Sequence, residues 1–211
     1  MFYSYNKLST ITASGCISIG SYAFCHCGAL TSVNFPACTT IGSYAFYDCD
    51  SLTSVNFSEC TTIGSLAFCN CDALTSVNFS ECTIINTSAF YNCGALTSVN
   101  FPKCGLIRSF AFYNCGALTS VNFPECRTIF SSAFANCTSL SSAYFLGSTY
   151  ITGANYMFMS TPLSNSTYIG KYGSIYFRAS MLSSYKKRSY WSAYSSRMVG
   201  LTDEEIAALG V

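Results

Sequence analysis

The sequence predicts an α/β repeat solenoid: right-handed coils of 22 residues, a parallel sheet on one face, and a Tyr/Trp-rich cap at the C-terminal end. Three observations predict it. Isoleucine returns every 22 residues at Ile19, Ile41, Ile63, Ile85, Ile107, Ile129 and Ile151. Phe24, Phe46, Phe68, Phe90, Phe112 and Phe134 keep the same step. The run Leu-Thr-Ser-Val-Asn-Phe occurs five times, beginning at Leu30, Leu52, Leu74, Leu96 and Leu118. A fixed period of this length marks stacked supersecondary units, none of which can bury its apolar face alone.

Each unit reads as a strand and a return path. In Ser32-Val33-Asn34-Phe35 the side chains alternate, so Val33 and Phe35 point inward while Ser32 and Asn34 point to solvent. Pro36 lacks a backbone donor and helps to end the strand. Along Ile41-Gly42-Ser43-Tyr44-Ala45-Phe46 the apolar residues have the spacing of one tight helical turn. Asp48-Cys49-Asp50 and Asn92-Cys93-Gly94 supply the residue types that tolerate turn conformations.

The composition admits a large core and excludes several partners. Half of the 211 residues are hydrophobic, only 9% are charged, and the net charge is +1. Such a balance offers nothing to nucleic acid or to an anionic membrane. Residues 1–100 set one lysine against five acids, whereas residues 101–211 set nine basic residues against four acids. The two ends of a solenoid would therefore differ in sign. No run reaches the ~18 apolar residues of a membrane helix, and Met1–Tyr5 lacks the basic and apolar regions of a signal peptide.

The spacing Leu30-x-x-Val33-x-Phe35-x-x-Cys38-x-x-Ile41 resembles the leucine-rich repeat. Its continuation, Ile41-Gly42-Ser43-x-Ala45-Phe46-x-x-Cys49-x-x-Leu52, resembles the BspA-like bacterial subtype. The resemblance covers about residues 1–151. The segment Ile175–Lys186, followed by Trp191-Ser192-x-Tyr194, resembles a C-terminal ending common in that family. Membership implies a surface-exposed or secreted protein that adheres to host or bacterial partners, and it implies no catalytic residues.

The organisation expected is a solenoid over 1–151, then a degenerate last repeat and capping segment over 152–211. Leu8, Ile11, Ala13 and Cys16 match Leu30, Val33, Phe35 and Cys38, so the chain starts inside a repeat and the array is expected to continue upstream. After Ile151 the repeat decays into one last strand near Ser174–Phe177 and a helical segment near Ala179–Ser196. Thr202 reads as an N-cap, with Asp203, Glu204 and Glu205 in the first turn of a short helix.

Fourteen cysteines would ordinarily suggest disulfides or zinc. Here most form two ladders, Cys16 to Cys126 and Cys27 to Cys137, at core positions where a small hydrophobe fits, and they are expected to be free thiols. Cys25 and Cys69 stand outside the ladders, where tyrosines sit in other coils, and are expected to be half-exposed. Cys25-His26-Cys27 lacks the paired spacing of a zinc site, so no metal and no cofactor is expected. Asp48, Asp50, Asn70 and Asp72 would gather at one edge, but Asn92 and Gly94 do not continue the pattern a calcium site would need. Glu59 and Glu81 stack as like charges. His26 is the only histidine, and its counterparts are polar turn residues, so a Ser/His/Asp or Cys/His mechanism has no support.

The function expected is recognition or adhesion. The candidate ligand-binding residues are the outward rows Ser32, Ser54, Ser76, Ser98 and Ser120, and Asn34, Asn56, Asn78, Asn100 and Asn122, with Tyr144 replacing Asn in the last regular strand. Few aromatics in these rows favour a protein over a glycan as the unknown partner. The alternative is an architectural spacer with no ligand of its own.

Overall fold

A three-residue strand can turn one side chain inward and two outward, and each Ser-Val-Asn triplet does so. The computed structural model describes residues 4–164 and 172–209. Strands alternate along the chain: β1 (Thr10–Thr12), β2 (Ser18–Ile19), β3 (Ser32–Asn34), β4 (Thr40–Ile41), β5 (Ser54–Asn56), β6 (Thr62–Ile63), β7 (Ser76–Asn78), β8 (Ile84–Ile85), β9 (Ser98–Asn100), β10 (Leu106–Ile107), β11 (Ser120–Asn122), β12 (Thr128–Ile129) and β13 (Ser142–Phe145). The C-terminal region adds β14 (Ser174–Arg178), α1 (Ala179–Tyr185), a 3-10 helix (Ser192–Arg197), β15 (Met198–Leu201) and α2 (Asp203–Leu209).

All pairings are parallel, with a 22-residue register through the regular coils: Val33 lies beside Val55, and Ile41 beside Ile63. The odd-numbered strands form the sheet that the Ser-Val-Asn triplets foretell. A second ladder, β2-β4-β6-β8-β10-β12, runs up the Thr-Ile corners without interruption. The first sheet is interrupted twice, between β5 and β7 and between β9 and β11.

Ring spacing supplies the physical reason. Equivalent atoms in successive coils are separated by the local rise. The column from Phe24 to Phe134 stacks at 5.2–5.3 Å, whereas the column from Phe35 to Phe123, beside the first sheet, stacks at 5.5–6.1 Å. Strand hydrogen bonding wants about 4.8 Å. The coils therefore splay on the sheet side and close on the turn side.

The return path is not helical. It is a succession of tight turns whose donors alternate between their own coil and the next. Ala45 N–H bonds to Gly42 C=O (3.3 Å) and Tyr47 N–H to Tyr44 C=O (3.3 Å). Between them, Tyr44, Phe46 and Asp48 donate across to Ser65, Ala67 and Cys69 at 2.8–3.0 Å. Tyr44, the third position of the Gly42–Ala45 turn, takes the positive φ that such a turn needs (58°), and Asp48 (54°) takes it four residues on, as do their equivalents in every coil through Ser132 and Asn136. His26, Asp48 and the asparagines tolerate this region; Tyr44, Leu66 and Phe110 take it only because inter-coil bonds hold the backbone there.

The core is one continuous column of Leu, Val, Phe, Ile, Ala and Cys. Beyond Ile151 the coil persists with two extra residues, since Phe158 stacks on Phe134 (5.5 Å) and Thr152 bridges to Thr128. The aromatic cap then closes the backbone as well as the core. Trp191 Nε1–H donates to Ile151 C=O (3.0 Å), while the Tyr185 and Tyr194 hydroxyls accept from Ile151 and Phe158 N–H (2.9 and 3.4 Å). The sequence implied one last strand; there are two, because β15 follows α1 and pairs with β14. Gly200 makes this possible: a Cβ there would lie 3.0 Å from Ala179 Cα. At Thr202 the expected cap is reciprocal, with Glu205 N–H on the Thr202 hydroxyl and Thr202 N–H on the Glu205 carboxylate.

Candidate functional site on the sheet face

The first sheet carries the predicted rows outward. Ser32 lies beside Ser54, Asn34 beside Asn56, Ser76 beside Ser98, Asn78 beside Asn100, and Asn122 beside Tyr144. Ser54, Asn56, Ser76, Asn78, Ser98, Asn100 and Ser120 are exposed, while Ser32, Asn34, Asn122 and Tyr144 are half-buried. All the predicted residues share one face, though the two ladder interruptions divide it.

The rows differ in how their polar atoms are used. Asparagine amides pair within each block: Asn56 donates to Asn34 (2.7 Å) and Asn100 to Asn78 (2.9 Å). Among the described residues the hydroxyls of the serine row make no hydrogen bond. Threonines flanking the row do the opposite, with Thr53 and Thr97 bonding the carbonyls of Thr31 and Thr75 at 3.0 Å. A shallow groove of about 380 Å³ runs from Ser54 to Asn100 across the opened β5–β7 junction. Val55 and Val99, each on the N-terminal side of an opened junction, are half-buried, whereas Val77 and Val121 are buried.

Toward the C-terminal end the chemistry changes. Tyr144 stacks on Tyr176 (4.6 Å, 8°), and Val199 continues the line. The Asn122 amide oxygen beside them is buried without a donor among the described residues. Arg197 lies over the Tyr172 ring (3.5 Å) with its Nε buried and lacking an acceptor among the described residues. Arg178 donates through Nε to Leu146 C=O (2.7 Å) and pairs with Asp203. Sequence reasoning singled out Tyr144 and missed Tyr176, Arg197 and Val199. Tyr176 was findable, since Ile175-Tyr176-Phe177 repeats the inward-outward alternation of Val-Asn-Phe. Stacking turns the ring faces toward each other and leaves edges outward, so this pair is an apolar rib and no flat platform for a sugar ring.

The residues considered for chemistry sit at the turn corner, on the other side of the coil. His26 Nδ1 is 3.1 Å from Asp48 Oδ2, Asn70 donates to Asp48 (2.7 Å), Asn92 to Asn70 (3.1 Å) and Asn114 to Asn92 (3.0 Å). This is a polar ladder that braces the left-handed turns. Burial, then the charges of Asp48 and Asp72, raises the Asp50 carboxyl. Among the described residues no group of three His, Cys, Asp or Glu side chains converges to hold a metal ion. Glu81 meets Lys103 of the next coil (2.6 Å), so Glu59 and Glu81 do not begin a purely acidic stack.

All fourteen cysteines are free thiols. One expectation fails: Cys25 and Cys69 are only 2% and 3% exposed. Their side chains tuck under the turn corner beside Tyr47, and the thiol least covered is Cys16, half-buried in the N-terminal coil. The ladders have a purpose beyond filling space. Cys49, Cys71, Cys93, Cys115 and Cys137 reach the carbonyl of a phenylalanine 25 residues earlier at 3.0–3.2 Å. Cys38, Cys60 and Cys82 reach a carbonyl two residues ahead at 3.3–3.4 Å. A thiol is a small apolar group that still offers a donor to a corner carbonyl. Desolvation pushes Cys49, Cys60 and Cys104 up to about 12, suppressing the thiolate that disulfide exchange requires.

Among the described residues no helix is long and apolar enough to cross a membrane. No curated protein matches the sequence. Solved structures do. A leucine-rich-repeat protein of T. pallidum matches with a TM-score of 0.64 at 24% identity, over 71% of this chain and 74% of its own, a likeness of fold. A leucine-rich cell surface protein of Faecalibacterium prausnitzii matches with a TM-score of 0.50 at 27% identity, over 67% of this chain and 48% of its own. This chain thus spans about half of the Faecalibacterium protein. The BspA type leucine-rich repeat region matches in six copies over residues 1–105 and 61–185, so the chain belongs to the BspA-type leucine-rich-repeat family.

Proposed function

We propose that the chain is a non-enzymatic recognition or adhesion module of a surface or secreted protein, binding a protein partner on its sheet face. The observation that carries this is the contrast along that face. Unpartnered serine hydroxyls lead into a line of Asn122, Tyr144, Tyr176 and Val199, where a buried amide oxygen lacks a donor. Tyrosine and arginine concentrate binding energy in protein interfaces, and buried polar atoms without partners are what a partner satisfies. The name of the Faecalibacterium relative, a cell surface protein, agrees with that location. The N-terminal part of the face is uniform and uncharged, so individual contacts are weak and repetition along the coils supplies the affinity.

A spacer reading has one observation in its favour: Asn34 with Asn56, and Asn78 with Asn100, bond to each other. One experiment separates the two. Wild type and the variant carrying Asn56→Arg, Asn78→Arg and Asn100→Arg are compared for adhesion to host matrix and bacterial surfaces. Recognition requires that wild type adheres and the folded variant loses adhesion. Equal adhesion moves the site off this face, and no adhesion by wild type favours the spacer.

A further inference from the structure

Among the described residues the strand β15 ends the four-stranded sheet β11-β13-β14-β15 and is paired on one side only. Alternate residues of a strand direct their N–H and C=O to opposite edges, so those facing away from β14 have no ladder partner among the described residues. Sheet edges are normally guarded by proline, lysine or a covering element. Met198-Val199-Gly200-Leu201 contains neither residue type, and α2, which follows it, buries none of its own residues. Val199 is 37% exposed and Leu201 half-buried on the outer face.

We propose that β15 is the interface of a two-fold homodimer, pairing antiparallel with β15 of a second copy and making one sheet continuous through both subunits. Charge selects this occupant. Positive charge stands at the start of β15, on Arg197, and negative charge just past its end, on Asp203 and Glu204. An antiparallel copy sets each end against its opposite, whereas a parallel copy sets like against like. With the axis at Val199, that residue faces its own equivalent, an apolar pair on the exposed side. Met198 and Gly200 then exchange main-chain hydrogen bonds with Gly200 and Met198 of the second copy. Arg197 lies opposite Leu201 and diagonal to Asp203 of the second copy, a separation long side chains span.

Two independent features fit. The Arg197 Nε is buried with no acceptor although its guanidinium is already held against Tyr172. A carboxylate arriving across the axis satisfies it, and Asp203 is preoriented by Arg178. Ile206 and Leu209 of α2 are half-buried and exposed respectively, and the second copy provides a surface for them.

The test is the mass and cross-linking of this chain. Light scattering of the wild type should give twice the chain mass, falling to one chain mass on dilution or in Val199→Lys, whose circular dichroism stays unchanged because the side chain is on the surface, and whose melting temperature should match that of the diluted, monomeric wild type. Val199→Cys should form a covalent dimer under mild oxidation. Residues opposite each other at a non-hydrogen-bonded site are about 4.5 Å apart at Cα, within disulfide reach. Ser54→Cys on the distant sheet face should form no covalent dimer under the same treatment. A wild type that stays monomeric at every concentration overturns the proposal. So does a dimer that survives Val199→Lys, or a Val199→Cys variant that cross-links no faster than Ser54→Cys. Adhesion is read separately, with the Asn56→Arg, Asn78→Arg and Asn100→Arg variant, which leaves β15 untouched.

Discussion

Raising the pH should unfold this protein through its thiols well before its backbone chemistry fails. Cys49, Cys60 and Cys104 rise from an ordinary value of 9.0 to about 12, chiefly because burial desolvates the thiolate. In the unfolded chain the same groups ionise near 9. Below pH 9 both states hold the proton and stability is intact. Between 9 and about 12 only the unfolded chain releases it, so stability falls with pH, and above about 12 the loss levels off. At pH 10 the unfolded state gains about 1.4 kcal/mol per thiol, or about 4 kcal/mol for the three. Domain stabilities are about 5–15 kcal/mol. Cys82 and Cys126 are raised as well, for the same primary cause, and add to the loss. With an m-value of about 2–3 kcal/mol/M, the urea midpoint should drop by roughly 1–2 M between pH 8 and pH 10 in the presence of a reductant. In Cys104→Ala the drop should shrink by the contribution of one thiol. A midpoint that holds steady to pH 10, or a Cys104→Ala variant with the same pH dependence as wild type, would refute the argument that buried neutral thiols set the alkaline limit.

Two other outcomes follow from packing. Native protein should react slowly with a thiol reagent, Cys16 first because it alone is half-buried, and denatured protein should show all fourteen thiols; early labelling of Cys25 or Cys69 would contradict their burial. Gly64→Ala should cost about 1–3 kcal/mol or more, because its Cβ would sit 2.5 Å from the Gly42 carbonyl carbon, whereas Gly94→Ala, with open space around it, should change the melting temperature little.

The 22-residue period made the solenoid, the inward columns and the outward rows readable, because each rests on side-chain alternation and burial, which composition expresses directly. The second ladder was less readable. Thr40-Ile41 is too short to show alternation, and its strand character comes from stacking on Thr62-Ile63. The return path misled for a related reason. Apolar spacing at Ile41, Ala45 and Phe46 suits a helical turn, but Tyr44 N–H finds Ser65 in the next coil, and the left-handed turns prevail. Cys25 looked exposed because tyrosine occupies its column elsewhere; a short thiol withdraws beneath the surface where a phenol cannot. In the candidate site, Tyr176 obeyed the repeat alternation, whereas Arg197 and Val199 lie beyond two irregular segments where register cannot be counted.

The unequal joining of the coils gives the molecule a mechanical character. The turn edge is tied by an unbroken ladder and by asparagine and phenylalanine columns, while the strand edge is open at two junctions. A stack fastened along one edge bends about that edge at little energetic expense, much as a book opens about its spine. Tension applied between the ends would first straighten or deepen the curve, widening the gaps at β5–β7 and β9–β11 while the phenylalanine stack stays closed. The array is thereby compliant in one plane and stiff in the other, so its sheet face can follow a rounded or a flat contour without breaking its core.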